Sequence, residues 1–246
     1  MVHDFSGYLP FLHFSDALVI PTYFVIISLT FSFGIYWFVR RAEKKLLGRN
    51  NALDIALVLM GAGFVGSRLV HVFFEEPHYY AEAPMRVFHI WQGGFVWYGG
   101  AVIGGLASIL FIHWRRLPLG KWLDAFAPVG ALGYGLGRIA CLLTGCCFGD
   151  VCILASGYQF RYPTQAFAVI WEFTTLALLL WLERKKRVSI FLVWLMLHSI
   201  GRIVMESFRG DPRGPAILTL SLSTWVSAVL LIVAVVFLFR KKPGQL

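Results

Sequence analysis

Seven long apolar stretches, separated by short polar connections, run the length of the chain: about Ala17–Val39, Leu53–Phe74, Gly93–Trp114, Trp122–Cys147, Gln165–Leu182, Ser189–Phe208 and Ala216–Phe239. Each approaches or exceeds the roughly 20 residues that a helix needs to cross a hydrocarbon core about 30 Å thick. A backbone in lipid must satisfy its own N–H and C=O groups, so uninterrupted spans of this kind predict helices. The pattern therefore predicts an all-α polytopic membrane protein with seven transmembrane helices. The connections are short except for roughly 75–92 and 148–164. No repeat or separable segment stands out, and one integral membrane domain over 1–246 is the expectation. No basic, short-apolar, cleavable leader is evident, so Met1 onward is read as mature protein.

Composition agrees with the pattern: 58% of residues are hydrophobic and only 14% charged, too few for the surface of a soluble domain. The net charge of +9 suggests nucleic acid at first sight. Its distribution excludes that reading. Of 22 Lys and Arg, fifteen follow the odd-numbered spans: Arg40, Arg41, Lys44, Lys45 and Arg49; Arg115, Arg116 and Lys121; Arg184, Lys185, Lys186 and Arg187; Arg240, Lys241 and Lys242. The other connections hold Arg86, Arg161, Arg209 and Arg213. Basic loops stay cytoplasmic, which predicts an outside N-terminus and a cytoplasmic C-terminus. The excess is a topology and anionic-lipid signal.

Arg68, Arg138 and Arg202 remain inside spans, where an unpaired charge costs several kcal/mol. Two readings stand side by side. Arg68 and Arg138 snorkel or pair with Glu172 or Glu206, or the arginines bind an anion, since a guanidinium fork matches phosphate oxygens. Three arginines exceed the two in-span carboxylates, which favours an anionic ligand. In "GRIVMESFRG" Arg202 and Glu206 share a helix face at i and i+4, with Arg209 about a turn later. Glu172, alone in "AVIWEFTT", either pairs with an arginine or carries a raised pKa as a base, pairing being the preferred reading. Arg138 lies about ten residues before the outer end of its span, so a site there opens toward the outer leaflet. The third span begins "WQGGFVWYGGAVIGG", a density of small residues that serves close helix packing or lets backbone face a ligand.

With these residues in view the chain resembles the prolipoprotein diacylglyceryl transferase family from end to end. "PTYF" at 21–24 resembles its first-span tyrosine motif, and "GSRLVHVFF" at 66–74 its Gly-x-Arg segment. "FHIWQGGFVWYGGAVIGG" at 88–105 is similar to its Trp-x-Gly-Gly…His-Gly-Gly segment, and "DAFAPVGALGYGLGR" at 124–138 to the run into its central signature. "RYPTQ" at 161–165 and "GRIVMESFR" at 201–209 resemble its Arg-His-Pro-Ser-Gln and terminal Arg…Glu-x-x-Arg. The resemblance implies a bacterial inner-membrane enzyme that moves the diacylglyceryl group of phosphatidylglycerol to the lipobox cysteine thiol of a secreted prolipoprotein, releasing glycerol phosphate. It implies catalytic roles for Arg138 and Arg202 at the phosphate and leaving group, for Glu206 in orienting them, and for Tyr98 and Cys146 by position. Tyr23, Arg68, Gly99, Gly100, Gly145, Gln165, Glu172 and Arg209 are implied to bind substrate. No cofactor or metal is implied, and no nucleic acid.

The chain also departs from the family pattern. The central Gly-Arg-x-x-Asn-x-x-Asn-Gly-Glu-x-x-Gly is "GRIACLLTGCCFG", so the asparagines are Cys141 and Thr144 and the glutamate is Cys146. The histidine of His-Gly-Gly is Tyr98, and a glutamate after Pro-Ser-Gln is Ala168. Tyrosine, with an unperturbed pKa near 10, is a poor base at neutral pH unless arginines stabilise phenolate; it donates a hydrogen bond instead. Cys146, a thiol where a carboxylate stood among arginines, is a candidate nucleophile that accepts the lipid first. The four cysteines run Cys-x4-Cys-Cys-x4-Cys, which is not a common zinc spacing. Cys141 reads as small apolar filler, and Cys147 with Cys152 as a possible outer-surface disulfide. The departures keep two rivals open: a divergent paralogue using the same lipid with another acceptor, and a thiol-redox or lipid-binding membrane protein. Inverted repeats and paired broken helices of the transporter kind are not seen.

Overall fold

The computed structural model of the chain describes residues 7–15, 18–185, 188–210 and 220–240. Ala17, Lys186, Arg187, Arg213, Ala216, Lys241 and Lys242, which the sequence reading used, lie outside them. The elements in order are β1 (Phe11–Ser15), β2 (Leu18–Pro21), α1 (Thr22–Lys44), α2 (Arg49–Val70), α3 (Pro77–Glu82), α4 (Trp97–Trp114), α5 (Leu119–Thr144), β3 (Val151–Ile153), β4 (Gln159–Arg161), α6 (Thr164–Lys185), α7 (Ile190–Glu206) and α8 (Leu222–Arg240). Among the described residues six helices are long and apolar enough to cross a membrane: α1, α2 with the π-helical turn His71–Glu75 that extends it, α4, α5, α6 and α8. Large apolar side chains such as Leu29, Phe31, Leu57, Leu106, Leu110, Ile170, Leu178 and Ile232 are exposed on them, as lipid-facing positions should be. The protein is a polytopic helical membrane protein. Its remaining predicted span is α7, a helix of 17 residues.

The all-α expectation needs correction. β1 pairs antiparallel with β2, and β3 with β4. Four apolar residues at the start of the expected first span, Leu18–Pro21, form β2, because a short apolar run carries no helical period of its own. Likewise Gly93–Val96 precede α4 rather than opening it, since Gly93 and Gly94 both take positive φ. The connection at 75–92 holds α3 and two 3-10 turns, Pro84–Phe88 and Ile90–Gln92.

Backbone contacts divide the chain into two compact units, one of residues 1–38, 123–212 and 227–246, the other of 39–122 and 213–226. In the first, Ala127, Ala131, Leu179 and Ile190 form a core between α5, α6 and α7, packed by Leu176, Val193 and Trp194. Asp124 locks the start of α7: its Oδ1 accepts hydrogen bonds from Ser189 Oγ at 2.8 Å and Phe191 N–H at 2.9 Å. A negative charge there also meets the positive end of the helix dipole.

In the second unit α2 and α4 cross at their glycines. A Cβ on Gly66 would lie 2.7 Å from Gly99 O, and one on Gly99 would lie 2.5 Å from Gly66 O. Gly63 O stands 3.0 Å from the Cβ position of Gly100. Small residues that let backbones meet are the usual glue between membrane helices. Gly66→Ala is expected to force the helices apart and destabilise by about 1–3 kcal/mol. Gly105→Ala, with open space at its Cβ, is expected to be silent in the same thermal-unfolding comparison.

Candidate functional site

The first unit gathers its chemistry at the C-terminal end of α5. The last four carbonyls of a helix have no partner within it. Here Ala140 O accepts Thr144 Oγ1 at 2.8 Å, and Cys141 O accepts both Gly145 N and Cys146 N at 3.0 and 3.1 Å. Leu142 O and Leu143 O accept Gly7 N and Leu9 N at 2.8 and 2.9 Å, so the N-terminal segment closes the helix end. The pair of bonds onto Cys141 turns the chain through Gly145 at φ 77°, where glycine avoids the steric cost other residues meet. Cys147 then takes φ 61°, a strained value for a residue with a Cβ. Two α6 side chains hold it there: Gln165 Nε2 donates to Cys146 O at 2.8 Å and Thr164 Oγ1 to Cys147 O at 3.0 Å. Gln165, expected to bind substrate, spends its amide on this turn.

The turn folds Cys141 back onto the Cys146–Cys147 pair, and all three Sγ atoms lie within 4.8 Å of one another. Cys141 is buried, Cys147 half-buried and Cys146 exposed, and all four cysteines, Cys152 included, are free thiols. Cys147 therefore faces Cys141 and Cys146, not the Cys152 partner that the sequence suggested. Hydrogen bonds from those two thiols hold Cys147 below its ordinary value, and the Arg138 and Arg209 guanidiniums add to this against the effect of burial. Tyr23, at the first turn of α1, also faces the three thiols and Arg138. Arg209 follows α7 and forms a β-bridge with Gly149 just past the cysteines. Tyr23, Arg138, Gly145, Cys146 and Arg209 are thus brought together as the sequence proposed.

Arg138 sits one turn beyond Tyr134 and donates from Nη2 to Tyr134 Oη at 2.7 Å, with its guanidinium 4.8 Å from that ring. It has no carboxylate partner among the ion pairs of the described residues. The Tyr134 ring stands edge-on against His198, centroids 4.6 Å apart, and His198 Nδ1 meets Glu172 Oε1 at 2.5 Å. Glu172 therefore pairs with a histidine rather than an arginine. His198 is the residue sequence reading missed, although His198, Arg202 and Glu206 recur every four residues on one face of α7. Arg202, 6% exposed, donates from Nη2 to Glu206 Oε2 at 3.3 Å. Tyr134, Ala168, Trp171, Glu172, Arg202 and Met205 line a cavity of about 10 Å³.

Arg68, Tyr98, Gly99 and Gly100 belong to the second unit. Arg68 gives Nε to Val87 O (3.1 Å), Nη1 to Gly93 O (2.5 Å) and Gly94 O (3.0 Å), and Nη2 to Arg86 O (2.9 Å) and His89 O (3.4 Å). Among the described residues, this cation in the span is satisfied by backbone carbonyls of 86–94. With His71, Glu76, Tyr79, Tyr80 and Gln92 it lines a cavity of about 280 Å³. Gly99 and Gly100 are taken up by the α2–α4 crossing, which leaves little of their backbone for a ligand. Tyr98 is half-buried in the first turn of α4, its ring edge-on to Trp97.

A half-buried guanidinium in an apolar helix lies beside three thiols, and a buried arginine sits on α7, in a polytopic helical membrane protein. The prolipoprotein diacylglyceryl transferase family model matches residues 11–240, and the chain belongs to that family. A phosphatidylglycerol–prolipoprotein diacylglyceryl transferase of Clostridium tetani is 30% identical over 237 residues, covering 91% of this chain and 93% of the relative. A second, of Clostridium perfringens, is 30% identical over 232 residues with 87% and 88% covered. One from Parasynechococcus marenigrum is 30% identical over 217 residues, with 79% and 78% covered.

Proposed function

We propose that this chain transfers the diacylglyceryl group of phosphatidylglycerol to the lipobox cysteine thiol of a secreted prolipoprotein, releasing glycerol phosphate. The observation that carries the reading is Arg138: a cation in an apolar helix, without a carboxylate partner among the described residues, facing Tyr23 and the 141–147 turn. Arg138 and Arg202 hold the lipid phosphate and stabilise the charge that grows on the leaving oxygen. Glu206 sets the Arg202 guanidinium, and the Glu172–His198 pair positions Tyr134 and through it Arg138. Gly145 and Arg209 shape the turn. Cys146 lines the reaction centre. As first acceptor it would form a thioether, a poor leaving group, so direct attack by the substrate thiol is the shorter path.

The enzyme is read as one domain of seven spans in the bacterial inner membrane. The alternating basic loops support an outer N-terminus, a cytoplasmic C-terminus and periplasmic connections at 75–92 and 148–164. α7 supports the count, because 17 residues lie at the lower edge of what spans a bilayer. The site then opens to the outer leaflet.

The test uses purified protein in phosphatidylglycerol vesicles with a lipobox peptide carrying one cysteine. Diacylglyceryl-thioether peptide by mass spectrometry, with equimolar glycerol phosphate, is expected. Glycerol phosphate without modified peptide would point to another acceptor, the reading that Cys141, Thr144, Cys146 and Tyr98 favour by replacing the family's polar residues.

A further inference from the structure

We infer that Cys141, Cys146 and Cys147 form a three-thiolate site for one zinc ion whose fourth position binds and activates the acceptor thiol. This rests on the transferase reading and supplies what that reading lacks, a way to make thiolate where the family's histidine is Tyr98. The geometry is already close. Three sulfurs bound to one zinc at about 2.3 Å stand about 3.8 Å apart, and the Sγ atoms here lie within 4.8 Å. The turn that brings them together is built in detail. Cys141 O takes two N–H groups, Gly145 and Cys147 adopt positive φ, and Gln165 and Thr164 hold the Cys146 and Cys147 carbonyls.

Donor chemistry selects the metal. Soft thiolates favour zinc and copper(I) over hard cations, and zinc suits a reaction with no redox step. Three protein ligands with one position left open is the arrangement of catalytic zinc sites, and a thiol that coordinates zinc is deprotonated. Three thiolates leave the centre at net −1, which Arg138 and Arg209 offset from beside Cys147. Cys146, the exposed member, marks the side from which a substrate reaches the fourth position. Cys152 lies outside the cluster.

The step balances. The acceptor thiol displaces water from the fourth position and loses its proton to solvent. Its sulfur lone pair forms the C–S bond to the lipid's glycerol carbon as the C–O bond to phosphate breaks. That electron pair leaves on the glycerol phosphate oxygen. The thioether product is neutral and a weaker ligand, so water replaces it, and no electron enters or leaves the metal.

Full-length protein in phosphatidylglycerol nanodiscs, kept reduced, would be loaded with zinc or cobalt(II), passed over a desalting column and assayed for metal. About one zinc per chain is expected, together with a cobalt spectrum showing sulfur-to-metal charge transfer. Cys146→Ser and Cys147→Ser are expected to weaken retention at least about a hundredfold. Cys146→Ser is the decisive variant because the exposed position keeps folding intact, and Cys152→Ala is expected to retain the metal. A lipobox peptide with cysteine should shift the cobalt d–d bands, and its serine counterpart should not. Loss of all metal on desalting, retention undiminished in Cys146→Ser, binding of copper(I) alone, or a disulfide within the trio in the active protein each overturns the inference. So does a full thioether rate from zinc-free protein, which leaves the transferase reading standing. Metal and thiol binding without any thioether product sinks the transferase reading and leaves the zinc site in place.

Discussion

Arg138→Ala is expected to lower thioether formation at least about a thousandfold while the melting temperature of the protein changes little. Preorganised charge aimed at a developing anion is among the largest contributions a site makes, about 3–4 kcal/mol for a single donor. Arg138 contributes a whole fork, held by Tyr134 at 2.7 Å. Arg138→Lys is expected to recover less than about a tenth, because a lysine offers a point charge without the planar donor pair that matches two phosphate oxygens. The measurement is initial rate by mass spectrometry across phosphatidylglycerol concentrations, with the loss in kcat. A rate within threefold of the parent would remove Arg138 from the phosphate site.

Arg68→Leu is expected to do its damage in stability, by about 1–3 kcal/mol. The substitution leaves five half-buried carbonyl partners in 86–94 without their donor, and orphaned acceptors cost more than the net value of the bonds that held them. Limited proteolysis should then cut within 86–94 at protease levels the parent resists, and unfolding should begin at lower temperature. Arg68→Lys, reaching one or two carbonyls, should fall between. Unchanged proteolysis in Arg68→Leu would mean the segment is held instead by Arg86, whose guanidinium lies 4.3 Å from the Tyr79 ring and donates to Tyr79 O at 2.9 Å.

Hydropathy carried the helical architecture well, because lipid imposes length and polarity on each span. It failed at Leu18–Pro21, where a strand and a helix end look alike over four residues. The arginines were legible as costs, but their partners were not. Arg68 is satisfied by backbone carbonyls, which leave no trace in side-chain pattern. Glu172 finds His198 across two helices, a pairing that depends on how α6 and α7 meet. The cysteine cluster escaped for a related reason: spacing rules describe ligands on loops, whereas here a helix end with Gly145 at positive φ folds the chain back on itself.

The length of α7 has a further consequence. Seventeen residues rise about 25 Å, some 5 Å less than a typical hydrocarbon core. A short span is accommodated by local thinning of the bilayer, at a modest cost for each ångström of mismatch. With α7 as a seventh span, as proposed, the membrane would be pinched beside the helix that carries Arg202 and Glu206. Lipid headgroups there would ride lower, toward the guanidinium, and the donor would enter with less of its phosphate dragged through hydrocarbon.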